Sequence, residues 1–374
     1  MHDIMVIGGG VMGCTTALRL AQGGLKVLLI EREGLCMQAS GVNAGTLSVG
    51  IKRASLIQYA IRGSNLWRTT PEWAGFDAGF HQIGGLTLAF NDEEAEMLTE
   101  RMDARKANGA PIEMVGLNRA KEIEPGISNK AVLAAYCPID GYANSNEIGS
   151  GFRGALKRAG VEIKEFTRVD GVEREDQGYA ARTPAGIFRG KRVVIAGGVW
   201  LEELLKRDFG INIPITCRTN MVSVTERLPP VMRNVLGIAT SLLTLKQSTN
   251  GTVLIGGGWQ GKGDTKRGGY EIVPENLLSN LRLACYVIPE LRKARIARTW
   301  LGIEGNTQDV MPIVGDIPGS PGAFVIGAVR GGFTIGPCMG MLLAQYILGK
   351  EPELPLFDPT RVIVPDDTIE RVAS

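Results

Sequence analysis

The sequence predicts an α/β fold in two parts: a doubly wound domain with a parallel sheet, and a second, α+β domain built on an antiparallel sheet. Three observations lead there. A short apolar run, Ile4 to Ile7, meets the glycine-rich turn Gly8-Gly9-Gly10-Val11-Met12-Gly13 and then apolar residues at helical spacing through Ala21. Between about 212 and 300 the pattern changes to successive alternating strands interrupted by one helix, which suits antiparallel pairing. Near the C-terminus, Ala323 to Ile326 passes through Gly331-Gly332 toward another apolar helix.

The chain has 374 residues, enough for about two domains. Forty-one basic against 39 acidic residues leave a formal charge of +2, and neither sign forms a long run, so no nucleic-acid partner is indicated. Six scattered cysteines include no CxxC pair, which argues against a metal or iron–sulfur site, and they read as buried thiols of a reduced protein. Val11-Met12-Gly13-Cys14 imitates a lipoprotein cleavage site. No Lys or Arg precedes the apolar segment, however, and successive glycines weaken a signal helix. No stretch reaches the roughly 18 apolar residues of a spanning helix, so a cytoplasmic location is expected.

In the opening turn, Gly8 permits the tight bend, Gly10 lets backbone approach a pyrophosphate, and Gly13 lets helix pack on strand. Phosphate can sit on the free N–H groups of the helix start. The next strand, Lys26 to Ile30, ends in Glu31, 18 residues beyond Gly13, where a carboxylate can accept hydrogen bonds from both ribose hydroxyls. The turn by itself allows NAD or FAD.

The loop Cys36 to Thr46 is rich in small and hydrogen-bonding residues and reads either as a cofactor wrap or as a surface turn. An amphipathic helix is expected from about Leu56 to Trp73, a strand from Ile83 to Phe90, a charged helix from Asp92 to Asn108 and a strand from Val132 to Tyr136. His81 is the only histidine besides His2, which leaves few candidates for a histidine-based triad. A helix from Asn146 to Arg158 and the strand Val161 to Phe166, followed by residues 167–172, return the chain to alternating βα units. Arg192 to Ile195 then ends in Gly197-Gly198 at a helix start, at the carboxyl edge where ligands bind.

Asn220 to Thr225, Ser241 to Lys246 and Thr252 to Gly257 read as strands around a helix at about Glu275 to Val287. Gly256 to Gly261 reads as a turn, because no strand–helix signature follows it. A helix is expected at Met339 to Leu348. The Gly331-Gly332 turn before it could stabilise negative charge on a cofactor ring. The first domain is assigned to 1–75, 146–211 and 301–374, and the second, substrate-binding domain to 76–145 and 212–300.

In four motifs and their order the chain resembles the FAD-dependent amino-acid and amine oxidoreductases of the D-amino-acid oxidase family. That family includes glycine oxidase, sarcosine oxidase and the flavin-bearing β subunits of heteromeric amino-acid or opine dehydrogenases. The motifs are Val6 to Gly13 with Glu31-Arg32; Ala39 to Gly45; Ala196-Gly197-Gly198-Val199-Trp200; and Thr307-Gln308-Asp309 with Pro312 to Gly315 and Gly327 to Thr334. The resemblance implies a Rossmann-like domain that holds the adenosine half of FAD on Gly8, Gly10, Val11, Met12, Gly13, Glu31 and Arg32. Ser40, Ala196, Gly197 and Trp200 join that set, and Val169 faces the adenine. It places the flavin end between Asn43, Ala44, Gly45, Thr46 and Leu47 on one side and Gly331, Gly332, Phe333, Thr334 and Ile335 on the other.

The resemblance further implies that the unprotonated amine of an α-amino or secondary amine substrate, placed with its Cα–H over flavin N5, passes a hydride to it and leaves an imine that water hydrolyses. Arg330 resembles the arginine that grips the substrate carboxylate, a task that suits its planar fork, or else it is a surface or ion-pair arginine. Glu304 stands where several members have arginine or tyrosine; it could meet a cationic part of the substrate or pair with Arg330. Gly302 falls where the sarcosine-oxidase type carries its flavin-bonded cysteine, which implies non-covalent FAD. Likeness to β subunits at Gly302 to Thr307 and Val253 to Gly258 implies partner subunits that carry the electron relay. The alternatives are a stand-alone glycine or D-amino-acid oxidase using O2, a flavin monooxygenase with Gly315-Asp316 as a ribose-binding pair, and a non-catalytic FAD- or ADP-binding subunit.

Overall fold

A computed structural model describes residues 1–264 and 268–365; the 366–374 tail assigned to the first domain lies outside the described residues. The N-terminal strand His2–Ile7 is the middle of a parallel sheet. Val27–Ile30 flanks it on one side, with Ile7 opposite Ile30, and Gly186–Ile195 flanks it on the other, with Ile7 opposite Ile195. Glu162–Lys164 extends one edge in parallel, and Ala323–Gly327 lies parallel to Gly186–Ile195 on the other. Val27–Ile30 is buried at every position, as a strand covered by helices on both faces must be.

The helices Val11–Gln22 and Gly332–Ile347 pack together on one face of this sheet. Their axes approach closely because Gly332, Gly336 and Gly340 recur every four residues. A Cβ on Gly336 would lie 2.6 Å from Val11 Cγ1, and one on Gly340 would lie 2.8 Å from the Met12 carbonyl oxygen. The two helix starts are thereby brought side by side.

The C-terminal helix begins at Gly332, seven residues before the expected Met339, with Pro337 inside it. Proline has no N–H to give the carbonyl four residues back. That carbonyl belongs to Phe333, and it accepts from the Trp67 indole at 2.8 Å. The lost helical bond is replaced from another helix.

The stretch expected to return to βα units does so only in part. After Glu162–Lys164 the strands Gly171–Glu175, Gly178–Thr183 and Gly186–Ile195 form an antiparallel meander, and the middle strand had no counterpart in the sequence reading. Two-residue loops join them, and a loop that short can connect only antiparallel strands. Gly178 at φ 140° and Gly186 at φ 118° supply the backbone the turns need.

The second sheet has eight strands, in the order 296–306, 216–225, 253–256, 244–247, 235–238, 85–89, 133–137 and 113–116. Every neighbouring pair is antiparallel except Gly85–Ala89 with Val235–Ile238, which is parallel. There the two separate chain segments meet, and no hairpin dictates direction. The strand Ile296–Asn306 is longer than expected and carries the chain from this sheet toward the first through the expected boundary at 300/301. The helix Asp92–Ala107 is closed by a reciprocal cap: Asn91 accepts from Glu94 N–H at 2.8 Å, and the Glu94 carboxylate accepts from Phe90 N–H at 2.8 Å. The expected 56–73 helix is divided at Thr69 into Ile57–Arg68 and Thr70–Trp73.

Four of the six cysteines, Cys14, Cys36, Cys137 and Cys338, are buried. Among the described residues no helix is long and apolar enough to cross a membrane.

Candidate functional site

Two glycine turns lie against each other at the carboxyl edge of the parallel sheet. Gly8 has φ 110°, and a Cβ there would fall 2.3 Å from the Ala196 carbonyl oxygen; one on Gly13 would fall 2.0 Å from the Gly8 carbonyl oxygen. Backbone thus packs on backbone. Gly10 differs: a Cβ there would meet only the Ser40 hydroxyl, at 3.3 Å. Its open side faces a cleft of about 360 Å³, lined by Gly8, Gly10, Glu31, Arg32, Ser40, Val169, Ala196, Gly197 and Trp200. All of these were expected from the sequence.

The Ser40 hydroxyl accepts from Val11 N–H at 2.9 Å and so caps the helix that opens onto the cleft. Glu31 accepts from Gly9 N–H at 2.6 Å and Glu33 N–H at 2.8 Å. Burial raises its carboxyl pKa, and these two N–H groups oppose the rise. The Arg32 guanidinium lies 3.9 Å from the centre of the Trp200 ring, so two residues expected to act separately form one wall. A carboxylate acceptor, an uncluttered glycine at a helix start and a hydrophobic position at Val169 fit the ribose, pyrophosphate and base of a dinucleotide.

Sequence reasoning missed Thr167, Glu203, Leu204, Arg207 and Ile303, which also line the cleft; Met37, also there, belongs to the expected 36–46 loop. The helical spacing of Glu203, Leu204 and Arg207 after Trp200 was the signal that could have found three of them. Asp316, the candidate ribose partner in the monooxygenase alternative, is not among the cleft residues; it is exposed and accepts from the Tyr346 hydroxyl at 2.5 Å.

The two segments expected at the flavin end are joined: the Thr334 hydroxyl donates to the Thr46 carbonyl at 3.5 Å. The first is braced from within, because Asn43 donates to the Ala39 and Ser40 carbonyls and accepts from Gly45 N–H at 2.7 Å. Gly45 has φ 71°, and a Cβ there would meet the Ala143 carbonyl oxygen at 2.2 Å. Thr46–Leu47 pairs with Gly141–Tyr142. In the second segment Gly331 caps the C-terminal helix at φ 67°, Phe333 stacks on Trp67 with centroids 4.6 Å apart, and a Cβ on Gly332 would touch Met12 Cε at 3.4 Å. Ile335 is fully buried. Gly302 packs on Val42, where a Cβ would sit 2.8 Å from Cγ2.

Charge concentrates here. Glu304 accepts from Gly331 N–H at 2.5 Å and from Asn220 at 3.2 Å, and Asn220 in turn accepts from Gln260 at 2.8 Å. Lys52 donates to the Gly331 carbonyl at 2.8 Å, so a carboxylate and an amine grip both sides of one residue. Burial brings the Lys52 amine down to about 8, against the pull of Glu304 and Asp140. Asp140 is buried; it accepts from Ser48 at 2.5 Å and from Val49 N–H at 2.6 Å, and burial raises its carboxyl pKa. Lys246, fully enclosed, donates to the Ala44 carbonyl and to Thr46 Oγ1, and burial lowers its amine to about 7. Arg330 is exposed and forms no ion pair with Glu304. Lys52, Asp140, Asn220 and Lys246 were not found from the sequence, where they look like ordinary surface residues.

The family model of FAD dependent oxidoreductases (DAO) matches residues 3–346. The chain is 25% identical to the glycine oxidase of Geobacillus kaustophilus, with 97% of each chain covered, and 27% identical to an opine oxidase subunit of Rhizobium meliloti, with 96% of this chain and 97% of the other covered. In three dimensions it is similar to the crystal structure of the Geobacillus glycine oxidase, with a TM-score of 0.88 at 25% identity, covering 96% of this chain and 98% of that one. It is equally similar to the L-proline dehydrogenase of P. horikoshii, with a TM-score of 0.88 at 26% identity, covering 96% and 97%.

Proposed function

Because the chain belongs to the family of FAD-dependent oxidoreductases, we propose that it is a flavoenzyme oxidising the C–N bond of an amino acid or secondary amine, as the flavin-bearing subunit of a heteromeric dehydrogenase. The observation that carries this reading is the continuity of the site: the dinucleotide cleft at Gly8 to Gly13 and the charged group at Glu304 are joined through Gly331, Thr334 and Thr46. The full-length likeness to one subunit of an opine oxidase supports the heteromeric assignment. A stand-alone oxidase is the second reading, favoured by the likeness to glycine oxidase.

When bound, FAD supplies the two-electron acceptor that takes the hydride at its N5. The residues of this chain do the rest. Glu31 and the open Gly10 hold the adenosine and pyrophosphate, and the segments at Asn43 to Leu47 and Gly331 to Ile335 fix the ring end without a covalent bond. Arg330 orients the substrate through its carboxylate. Glu304, fixed by Gly331 and Asn220, receives the substrate ammonium, whose proton must leave before hydride transfer. A cytoplasmic location accompanies this reading.

The test is loss of the oxidised-flavin visible spectrum on anaerobic mixing with amino acids, opines, proline derivatives and sarcosine, with and without co-purified partner chains, followed by admission of oxygen. Bleaching by an amine that oxygen does not reverse supports a dehydrogenase, and rapid reoxidation supports an oxidase. Bleaching by NAD(P)H alone, or by none of these, overturns the reading. Yellow colour left in an acid-precipitated pellet would overturn non-covalent attachment.

A further inference from the structure

The reaction as read above leaves Arg218 unused. Arg218 stands directly opposite Glu304 in the antiparallel pairing of Thr216–Thr225 with Ile296–Asn306, so the two side chains leave the same face of the sheet. Asn220, which donates to Glu304, shares that face. So do Trp300 and Gly302, which meet the carbonyl and side chain of Val42 at the start of the 43–47 segment. The face is therefore turned toward the ring end of the site.

Arg218 Nε is buried with no hydrogen-bond partner, and its guanidinium forms no ion pair among the described residues although a carboxylate lies across the strand from it. A buried donor left unmade is costly, and a bound anion would complete it. Arg330 immediately precedes Gly331, whose N–H the Glu304 carboxylate holds. Neither Arg218 nor Arg330 forms an ion pair with Glu304.

We propose that Arg218 is a second carboxylate-binding residue, and that the substrate is a secondary amine carrying a carboxylate on each arm. Arg330 takes one carboxylate, Arg218 takes the other, and Glu304 receives the ammonium between them. The proposal rests on the amine-oxidoreductase reading of this site. Two guanidinium forks match two carboxylates, and the Glu304 carboxylate matches one ammonium. A monocarboxylic amine would leave one guanidinium without its fork-to-fork partner.

The test uses the FAD-loaded full chain and two probes that differ by one carboxylate, iminodiacetate and sarcosine. Binding is read by titration calorimetry, and reaction is read separately by anaerobic flavin bleaching. Wild type should bind iminodiacetate about 10- to 100-fold more tightly than sarcosine, the range for one charge-assisted contact. Arg218→Gln should bring that ratio close to one, and Arg218→Lys should restore part of it. If Arg218→Gln does not fold, the wild-type ratio and its reduction in Arg218→Lys decide the matter. Equal affinities in wild type, or a ratio untouched by substitution, would overturn the proposal even if sarcosine bleaches the flavin. A ratio that depends on Arg218 without bleaching by either probe would uphold the binding assignment and overturn the reaction.

Discussion

The two ends of this site are made of different materials. The dinucleotide end is built from backbone: Gly8 lies against Ala196 and Gly13 against Gly8, with atoms no side chain could share, and Glu31 is tied to two peptide N–H groups. The charged end is built from side chains that arrive from distant parts of the chain: Lys52, Asp140, Arg218, Lys246, Glu304 and Arg330. The first kind of site fixes a ligand common to a whole family. The second can change its substrate through single substitutions without disturbing the fold.

Substituting one glycine at each end breaks this contrast most directly. Gly13→Val drives a Cβ onto the Gly8 carbonyl oxygen, where nothing can yield, so about 3 kcal/mol of stability and all retained flavin should be lost. Gly331→Ala also imposes strain, at φ 67°, but its Cβ meets the tip of Lys52, a flexible chain that can move. About 1 kcal/mol should be lost there, with flavin kept and substrate affinity altered. Flavin content after gel filtration, beside thermal melting, separates the two. Equal flavin loss would mean that both ends are equally rigid.

A second test concerns the joint between the ends. Trp67→Phe strands the Phe333 carbonyl, which Pro337 cannot serve, and should cost about 3 kcal/mol including the smaller ring. In a Pro337→Ala background the restored N–H can return to that carbonyl. The same substitution should then cost about 1 kcal/mol less, a coupling that denaturant melts of the four proteins would measure.

The sequence revealed the dinucleotide end well because backbone demands leave marks in it: glycines at set intervals, an apolar strand before, an acid after. It showed the charged end poorly. Lys246 lies in Thr244-Leu245-Lys246-Gln247, which reads as a strand with one wet face, yet Leu245 and Lys246 are both buried because the strand is interior to an eight-stranded sheet and its other face meets Ala44 and Thr46. Arg218 and Glu304 are 86 residues apart, and only the strand register brings them opposite. The meander at 171–195 was hidden for a related reason: its hairpin loops are two residues long, and the strand Gly178–Thr183 has no alternating apolar pattern.

Titration sharpens the comparison further, because Lys246 at the charged end and Glu31 at the dinucleotide end respond at opposite ends of the pH scale. Burial lowers Lys246 from 10.5 to about 7. Between those values the unfolded chain binds the proton and the folded one does not, so stability should rise with pH, by at most about 1.4 kcal/mol per unit. Lys246→Met should remove that rise from melts taken between pH 7 and 8, above which the Lys52 amine adds its own. Glu31 is raised instead, so just above its ordinary value of 4.5 the folded chain binds the extra proton and stability falls as pH climbs. Glu31→Gln should lower the slope of the acid side alone, leaving the share that Asp140 contributes. A lysine variant that changed the acid limb would show that the ends are electrostatically coupled.

The smallest effect belongs to a side-chain pair at the dinucleotide end. Arg32 lies over the Trp200 ring at 3.9 Å and pairs weakly with Glu33 at 3.4 Å, and both members of that ion pair are more than a third exposed. Solvent screens the ion pair, so the stack carries most of the interaction, about 0.5–1 kcal/mol. Arg32→Ala should therefore weaken FAD binding only about 2- to 5-fold, measured by flavin fluorescence on dilution. The backbone contacts at Gly8 to Gly13 and the Glu31 carboxylate remain in that variant. If it nevertheless released FAD as completely as Gly13→Val, the wall formed by Arg32 and Trp200 would be a principal holder of the cofactor. The dinucleotide end would then depend on side chains as the charged end does.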